Sequence, residues 1–91
     1  MSQDSAESDV LVSLGRAVAA ARHAAGLTQK EFAEKVGMDR VTVARTETGR
    51  IDVPYSTLVR LAAGLGVPLV KLVGDATGEP DQLSRPAGKR K

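Results

Sequence analysis

Apolar residues recur every three or four positions along the first third of the chain, which is the spacing of a helix with one buried face. Ser8 is a suitable start, because Asp9 then lies beside the positive end of the helix, and Gly26 is a suitable stop. The pattern predicts a first helix from about Ser8 to Gly26. Its buried face would contain Leu11, Leu14, Val18, Ala21 and Ala25.

Two short helices separated by a turn are predicted to follow. Thr28 and Glu31 have the spacing of a capping box, in which each side chain satisfies a free backbone N–H. Gly37 suits the left-handed conformation that ends a helix, and Asp39 can cap the next helix. Helix, glycine turn and helix are typical of a helix-turn-helix. The second helix is predicted at 28–36 and the third at 40–48. The apolar stripe of the second helix is Phe32, Ala33 and Val36.

The third helix is predicted against its local propensity. The run Val41-Thr42-Val43 favours a strand, but the flanking caps and the short length favour a helix. That helix must bury Val43 and, one turn later, Thr46. The residues left towards the outside are Arg40, Val41, Thr42, Ala44, Arg45 and Thr48.

Two more helices are predicted before the composition changes. Pro54 is tolerated in a first helical turn, so the fourth helix is expected to begin at Asp52 or Val53. Its apolar face would be Leu58, Leu61, Ala62 and Leu65, and a fifth helix would span 68–73. Five short helices in one chain predict an all-α bundle of orthogonally packed helices. The predicted organisation is a disordered arm at 1–7, the helical domain at 8–73 and a flexible, basic-ended tail at 74–91.

The composition excludes several classes of protein. The 91 residues include no cysteine and a single histidine, so disulfides, thiolate metal sites and multi-histidine sites are excluded, and we expect no metal and no cofactor. No nucleophile–base set or phosphate-binding glycine loop is present, which argues against an enzyme. No apolar run is long enough for a membrane span, and the acidic N-terminus is unlike a signal peptide, so a cytoplasmic protein is expected.

The distribution of charge along the chain is more informative than the net charge. The net charge is only +2, but Arg40, Arg45 and Arg50 recur at five-residue spacing along the third helix and its exit, which makes a basic stripe. Such arginines are either ordinary solvated residues or a surface for a polyanion. The chain ends in Lys89-Arg90-Lys91, which either solubilises the tail or adds salt-sensitive phosphate affinity.

The ordered set of residues over the five helices resembles the phage-repressor helix-turn-helix family, of the XRE or Cro/C1 type. The resemblance covers about residues 11–73. It implies a five-helix lambda-repressor-like fold with the helix-turn-helix at helices 2 and 3, in a prokaryotic or phage-type protein. The residues that carry it are Leu27-Thr28-Gln29, Phe32-Ala33, Val36-Gly37, Val43, Glu47, Gly49, Leu58, Leu61-Ala62 and Leu65-Gly66-Val67.

The family places its third helix in the major groove of double-stranded DNA, so the resemblance implies roles for individual residues. Arg40 and Arg45 would read guanine, with Val41 and Thr42 beside thymine methyl groups. Arg22 and Glu47 match a buried ion pair; the alternative is that Glu47 is exposed and pairs with Arg45 or Arg50. The residues expected at phosphates are Thr28, Gln29, Lys30, Thr48, Arg50 and Tyr55, although Tyr55 could instead cover helix 4.

Thr46 departs from the family, which usually has a large apolar residue there. Either its hydroxyl bonds back to a carbonyl one turn earlier, or the core below the third helix is loose. The loop before the fourth helix is also one residue shorter than the commonest family form.

The function implied is that of a sequence-specific transcriptional regulator, a small repressor on a palindromic operator. One helix-turn-helix offers little contact area, so a homodimer is expected, with Ile51, Val53, Val70 and the last helix as candidate contacts. No segment after Val73 is suited to bind a small-molecule effector. The alternative is an antitoxin or adaptor whose C-terminal tail binds a protein partner and whose DNA binding serves autoregulation.

Overall fold

The computed structural model describes residues 3–78, with side chains from Asp9 onward. All regular structure in that range is helical, as the sequence predicted. The helices are α1 (Gln3–Ala24), α2 (Gln29–Val36), α3 (Arg40–Glu47), α4 (Tyr55–Leu65) and α5 (Leu69–Thr77).

The caps of the two central helices form as the sequence predicted. The Thr28 hydroxyl accepts from the N–H of Glu31 at 3.0 Å, and the Glu31 carboxylate accepts from the N–H of Thr28 at 2.9 Å. Gly37 ends α2 with φ 72°, in the left-handed region. The carboxylate of Asp39 accepts from the N–H of Thr42 at 2.9 Å and so starts α3. These local bonds fix the turn between α2 and α3.

Both ends of the helical domain extend further than predicted. α1 begins at Gln3 rather than near Ser8, because residues 3–7 contain no glycine or proline to stop a helix that the packed part of α1 has already nucleated. α5 continues through Gly74 to Thr77, so the boundary predicted at Val73 is corrected as well. Ala76 packs against the core and supports this last turn. The rest of the predicted tail lies outside the described residues.

The fourth helix begins later than predicted, at Tyr55. Pro54 occupies its N-cap with φ −60° and ψ 151°. A start at Asp52 or Val53 would put Val53 in the helical region, which the following proline ring disfavours by steric clash. The predicted burial of Ala25 is also corrected: α1 ends at Ala24, and Ala25 is exposed in the turn.

The core draws its largest fully buried side chains from all five helices. They are Val18 of α1, Phe32 of α2, Val43 of α3, Leu61 of α4 and Leu72 of α5. Since each helix contributes one of these side chains, displacing any helix would expose the shared core to water. α3 is thereby held against α1 and α2, and its opposite face stays exposed.

α1 and α3 approach each other closely at Gly15. A Cβ atom at Gly15 would overlap with the carbonyl oxygen of Thr46 and would crowd the carbonyl of Glu47. Thr46 itself is 2% exposed, and its hydroxyl donates to the carbonyl of Thr42 at 2.8 Å. Of the two alternatives for Thr46, the hydroxyl bonded back to a carbonyl one turn earlier is therefore the one that the structure has, since a buried hydroxyl needs such a partner.

None of the described helices is by itself long and apolar enough to cross a membrane. α4 and α5 meet that criterion only when taken together, by length and composition, across a bend of 108°.

We predict that Gly15→Ala destabilises the protein by about 1–3 kcal/mol, because the added methyl group must push α1 away from α3. Helix propensity alone predicts the opposite sign, a gain of about 1 kcal/mol. Chemical denaturation of the wild type and the variant decides between them. Arg16→Ala, at the exposed neighbouring position, is the control and should stay within about 0.5 kcal/mol. A Gly15→Ala variant as stable as the wild type would contradict the close approach.

Candidate nucleic-acid interface

The solvent-facing side of α3 presents a short row of basic and apolar side chains. Arg40 and Arg45 are exposed, and Val41, at 58%, is the most exposed of the valines with a large exposed surface. Thr42 is half-buried between them and the core. Val43 and Thr46 form the opposite, buried face. The four residues predicted to read bases therefore lie on or next to the exposed side of one rigid helix.

Asp39 lies at the N-terminal end of this row. Its carboxylate is exposed and caps α3. The backbone N–H of Thr42 lowers the pKa of Asp39, and the Thr42 side chain and the positive charge of Arg45 act in the same direction. The carboxylate is therefore ionised at neutral pH. A fixed negative charge sits directly before Arg40.

The N-terminus of α2 lies beside the N-terminus of α3. A shallow depression of about 330 Å³ between them is lined by Arg22, Thr28, Gln29, Lys30 and Arg40. Thr28 and Lys30 are exposed. The free N–H groups of a helix N-terminus favour an anion at such a place. The structure thus brings three predicted phosphate contacts next to a predicted base-reading arginine.

Gln29 lies at this surface, but its side chain is directed inward. Its amide Nε2 donates to Oε1 of Glu47 at 3.0 Å. The sequence predicted only a phosphate contact for Gln29 and did not reveal this bond to the ion pair. In this arrangement the amide N–H₂ links α2 to the end of α3. The amide oxygen and the backbone N–H of Gln29 remain available for other partners.

Arg22 and Glu47 form the ion pair that the family resemblance implied. Nε of Arg22 donates to Oε2 of Glu47 at 2.7 Å and Nη2 donates to Oε1 at 3.0 Å, a bidentate geometry. Nη1 donates to the carbonyl of Leu27 at 2.8 Å. The side chains are only 9% and 5% exposed, and hydrogen bonding to Glu47 raises the pKa of Arg22. The pair joins α1, the turn before α2, and the end of α3.

The other end of α3 carries the remaining predicted phosphate contacts. Arg50 is exposed, and Tyr55 is 72% exposed rather than packed over helix 4. The Thr48 hydroxyl donates to the carbonyl of Ala44 at 3.0 Å. Its proton is therefore engaged within the helix, and a direct bond from Thr48 to phosphate would require a different rotamer.

The predicted dimer contacts are only partly accessible. Ile51 and Val70 are half-buried, and Val53 packs against the core. Val73, at 41% exposed, lies on the fifth helix, which was predicted as a dimer surface, whereas Val59, at 42%, was not among the predicted contacts. The spacing of Val59 outside the Leu58, Leu61, Ala62 and Leu65 face was the signal that could have identified it.

No metal centre is visible among the described residues, where no group of three or more His, Asp or Glu side chains is close enough to hold an ion. The single histidine, His23, is exposed, with Nε2 at 3.4 Å from Nη2 of Arg22.

Comparison with known protein families gives the helix-turn-helix domain, which matches residues 13–72. This chain belongs to the helix-turn-helix family. The match spans the part of the chain that carries the exposed α3 row and the Arg22–Glu47 pair. The family and the fold are those of DNA-binding transcription regulators of the XRE type. No relative was found among the curated proteins searched.

Solved structures of bacterial regulators share the fold. The restriction–modification controller protein C.AhdI from Aeromonas hydrophila is 32% identical, over 68% of this chain and 94% of its own, with a TM-score of 0.67. The clp gene regulator ClgR from Corynebacterium glutamicum is 26% identical, over 77% of this chain and 90% of its own, with a TM-score of 0.74. A hypothetical transcription factor from Neisseria, NHTF, is 26% identical, over 87% of this chain and 89% of its own, with a TM-score of 0.72. This protein thus has the same fold as these regulators.

We predict that Glu47→Ala costs about 3–5 kcal/mol of stability, because it leaves the Arg22 guanidinium buried without its counter-charge. Thermal or urea unfolding measures the loss. The matched control is Asp75→Ala, which breaks the Lys71–Asp75 pair (3.2 Å, side chains 55% and 53% exposed). That pair is solvated and should contribute less than about 0.5 kcal/mol. Equal losses in the two variants would show that the Arg22–Glu47 pair has no special structural role.

Proposed function

We propose that this protein is a sequence-specific, double-stranded DNA-binding transcriptional regulator that acts as a dimeric repressor on a palindromic operator. The observation that carries the proposal is the exposed row Arg40, Val41 and Arg45 on α3, held in place from behind by a buried core and a buried ion pair. A helix of this kind fits the major groove, with its N-terminal residues at the base edges.

The chemistry of the row supports readout of guanine and thymine. An arginine can donate two hydrogen bonds to O6 and N7 of guanine, and a valine side chain makes an apolar contact with the thymine methyl group. Val41 exposes 58% of its surface in the free protein, so contact with a methyl group would remove apolar area from water. Arg40 and Arg45 lie on either side of it in sequence and are both exposed.

The flanking groups support contacts to the sugar–phosphate backbone. Lys30 and Thr28 lie at the N-terminus of α2, on one side of Arg40, and Arg50 and Tyr55 lie beyond the other end of α3. Phosphate contacts on both sides of a recognition helix set its orientation without carrying sequence information. For Gln29, the bond of its amide to Glu47 makes its backbone N–H the donor that we assign to phosphate.

A dimer follows from the small size of the reading surface. A single module presents one eight-residue helix, Arg40–Glu47, and two copies related by a two-fold axis would double the contacts and match a palindrome. The exposed Val59 and Val73, with the half-buried Ile51 and Val70, are the apolar side chains available for that contact. Val53 is less suitable, because it is already packed against the core. Repression requires only that the bound dimer occupies the promoter.

We predict that selection of bound sequences from random duplex DNA yields a site with a preferred guanine in each half. Arg40→Ala and Arg45→Ala should each weaken binding to that site about tenfold and relax one guanine position. Arg60→Ala removes the same charge from an exposed position of α4 that is not part of the row, and should change affinity only slightly. A selected site without a guanine preference, or an equal loss in all three variants, would contradict readout by α3.

We predict further that the protein is a dimer at micromolar concentrations in sedimentation equilibrium, and that Val73→Glu or Ile51→Glu shifts it towards monomer. A buried carboxylate without a partner opposes association. Val10→Glu is the control, because Val10 is a similarly exposed valine, at 49%, on the first part of α1. A wild type that stays monomeric at high concentration and selects a site without two-fold symmetry would rule out the dimer.

A further inference from the structure

Asp39 is a negatively charged residue next to the basic side chains of the α3 row. It directly precedes Arg40 at the N-terminus of α3, and Lys30 and Arg40 border the neighbouring depression. Its side chain is exposed, and Arg45 is close enough to act on it electrostatically. On a surface that binds phosphates, such a carboxylate opposes binding unless it meets a hydrogen-bond donor.

Capping alone does not require the charge. Oδ1 of Asp39 accepts from the N–H of Thr42 at 2.9 Å, and serine or asparagine would cap a helix about as well. An ionised carboxylate has about four acceptor positions. The backbone N–H of Thr42 uses one, and the Thr42 side chain and the backbone N–H of Val41 also bond to the group. Because the carboxylate is exposed, acceptor capacity remains towards solvent.

The major groove offers few donors to such a group. Cytosine presents its N4 amino group and adenine its N6 amino group, whereas guanine and thymine present no hydrogen-bond donor there. A carboxylate oxygen therefore attracts cytosine and is repelled by O6 and N7 of guanine or O4 of thymine. Adenine is less suitable than cytosine, because its N7 acceptor lies beside the amino group.

We propose that Asp39 is a specificity-determining residue that selects cytosine in the operator half-site, at a position next to the guanine read by Arg40, and rejects guanine and thymine there. The inference rests on the proposed function, in which the N-terminal end of α3 enters the major groove. Asp39 thus adds discrimination through a hydrogen bond to the right base and through repulsion of the wrong ones.

Sequence selection with three proteins tests this: the wild type, Asp39→Asn and Asp39→Ser. Both replacements keep a capping side chain, so circular dichroism and melting should show a folded α3. The wild type should prefer cytosine at one position per half-site. Asp39→Ser should lose that preference, with about tenfold less discrimination against guanine. Asp39→Asn should shift it towards adenine, which an amide can bind through N6 and N7.

Asp52→Asn is the matched control, since it removes another exposed carboxylate, from the loop before α4. It should leave the cytosine preference unchanged. Both Asp39 variants should also bind non-specific DNA somewhat more tightly than the wild type, because a repulsive charge is gone.

Two results would overturn the inference, and they are distinguishable. If the wild type and both Asp39 variants select the same sequence and differ only by a uniform change in affinity, Asp39 is a cap that tunes charge, while the proposed DNA-binding function stands. If the wild type itself selects no sequence, the proposed function fails and the role of Asp39 fails with it.

Discussion

The buried ion pair between Arg22 and Glu47 is the interaction on which the geometry of the α3 surface depends. Its bidentate bonds at 2.7 and 3.0 Å connect α1 to the last residue of α3. The same guanidinium holds the carbonyl of Leu27, and the same carboxylate accepts from Gln29 at the start of α2. The pair therefore sets three helices relative to one another. Its charges are shielded from water, so loss of one partner would leave the other charge buried and unpaired.

Small side chains allow α3 to lie close enough for this pair to form. Gly15 brings the backbone of α1 against the carbonyls of Thr46 and Glu47, and Thr46 satisfies its hydroxyl inside its own helix. Gly15 of α1 and the backbone of Thr46 and Glu47 thus form one close-packed contact between the two helices.

The same support separates structural from functional side chains on α3. Val43, Thr46 and Glu47 face the core and the ion pair, which leaves Asp39, Arg40, Val41 and Arg45 free to meet a ligand. Preorganisation of this kind lowers the entropy lost on binding. The exposed set combines donors, an apolar group and one acceptor, which are the three kinds of contact that distinguish base pairs in the major groove.

Local chemistry allowed much of this to be predicted from the sequence. The caps at Thr28 and Asp39, the left-handed Gly37 and the apolar spacing of the helices act over a few residues, so they can be read without a fold. The strand-like run 41–43 was correctly assigned to a helix because its caps outweighed its propensity. The start of α4 follows from a local rule that the prediction overlooked, the clash of the Pro54 ring with a helical Val53. Only the tertiary structure decided the length of α1 and α5, the contact at Gly15 and the inward bond of Gln29. Each of these depends on groups that are distant in sequence, or on a balance between packing and local propensity that the pattern does not contain.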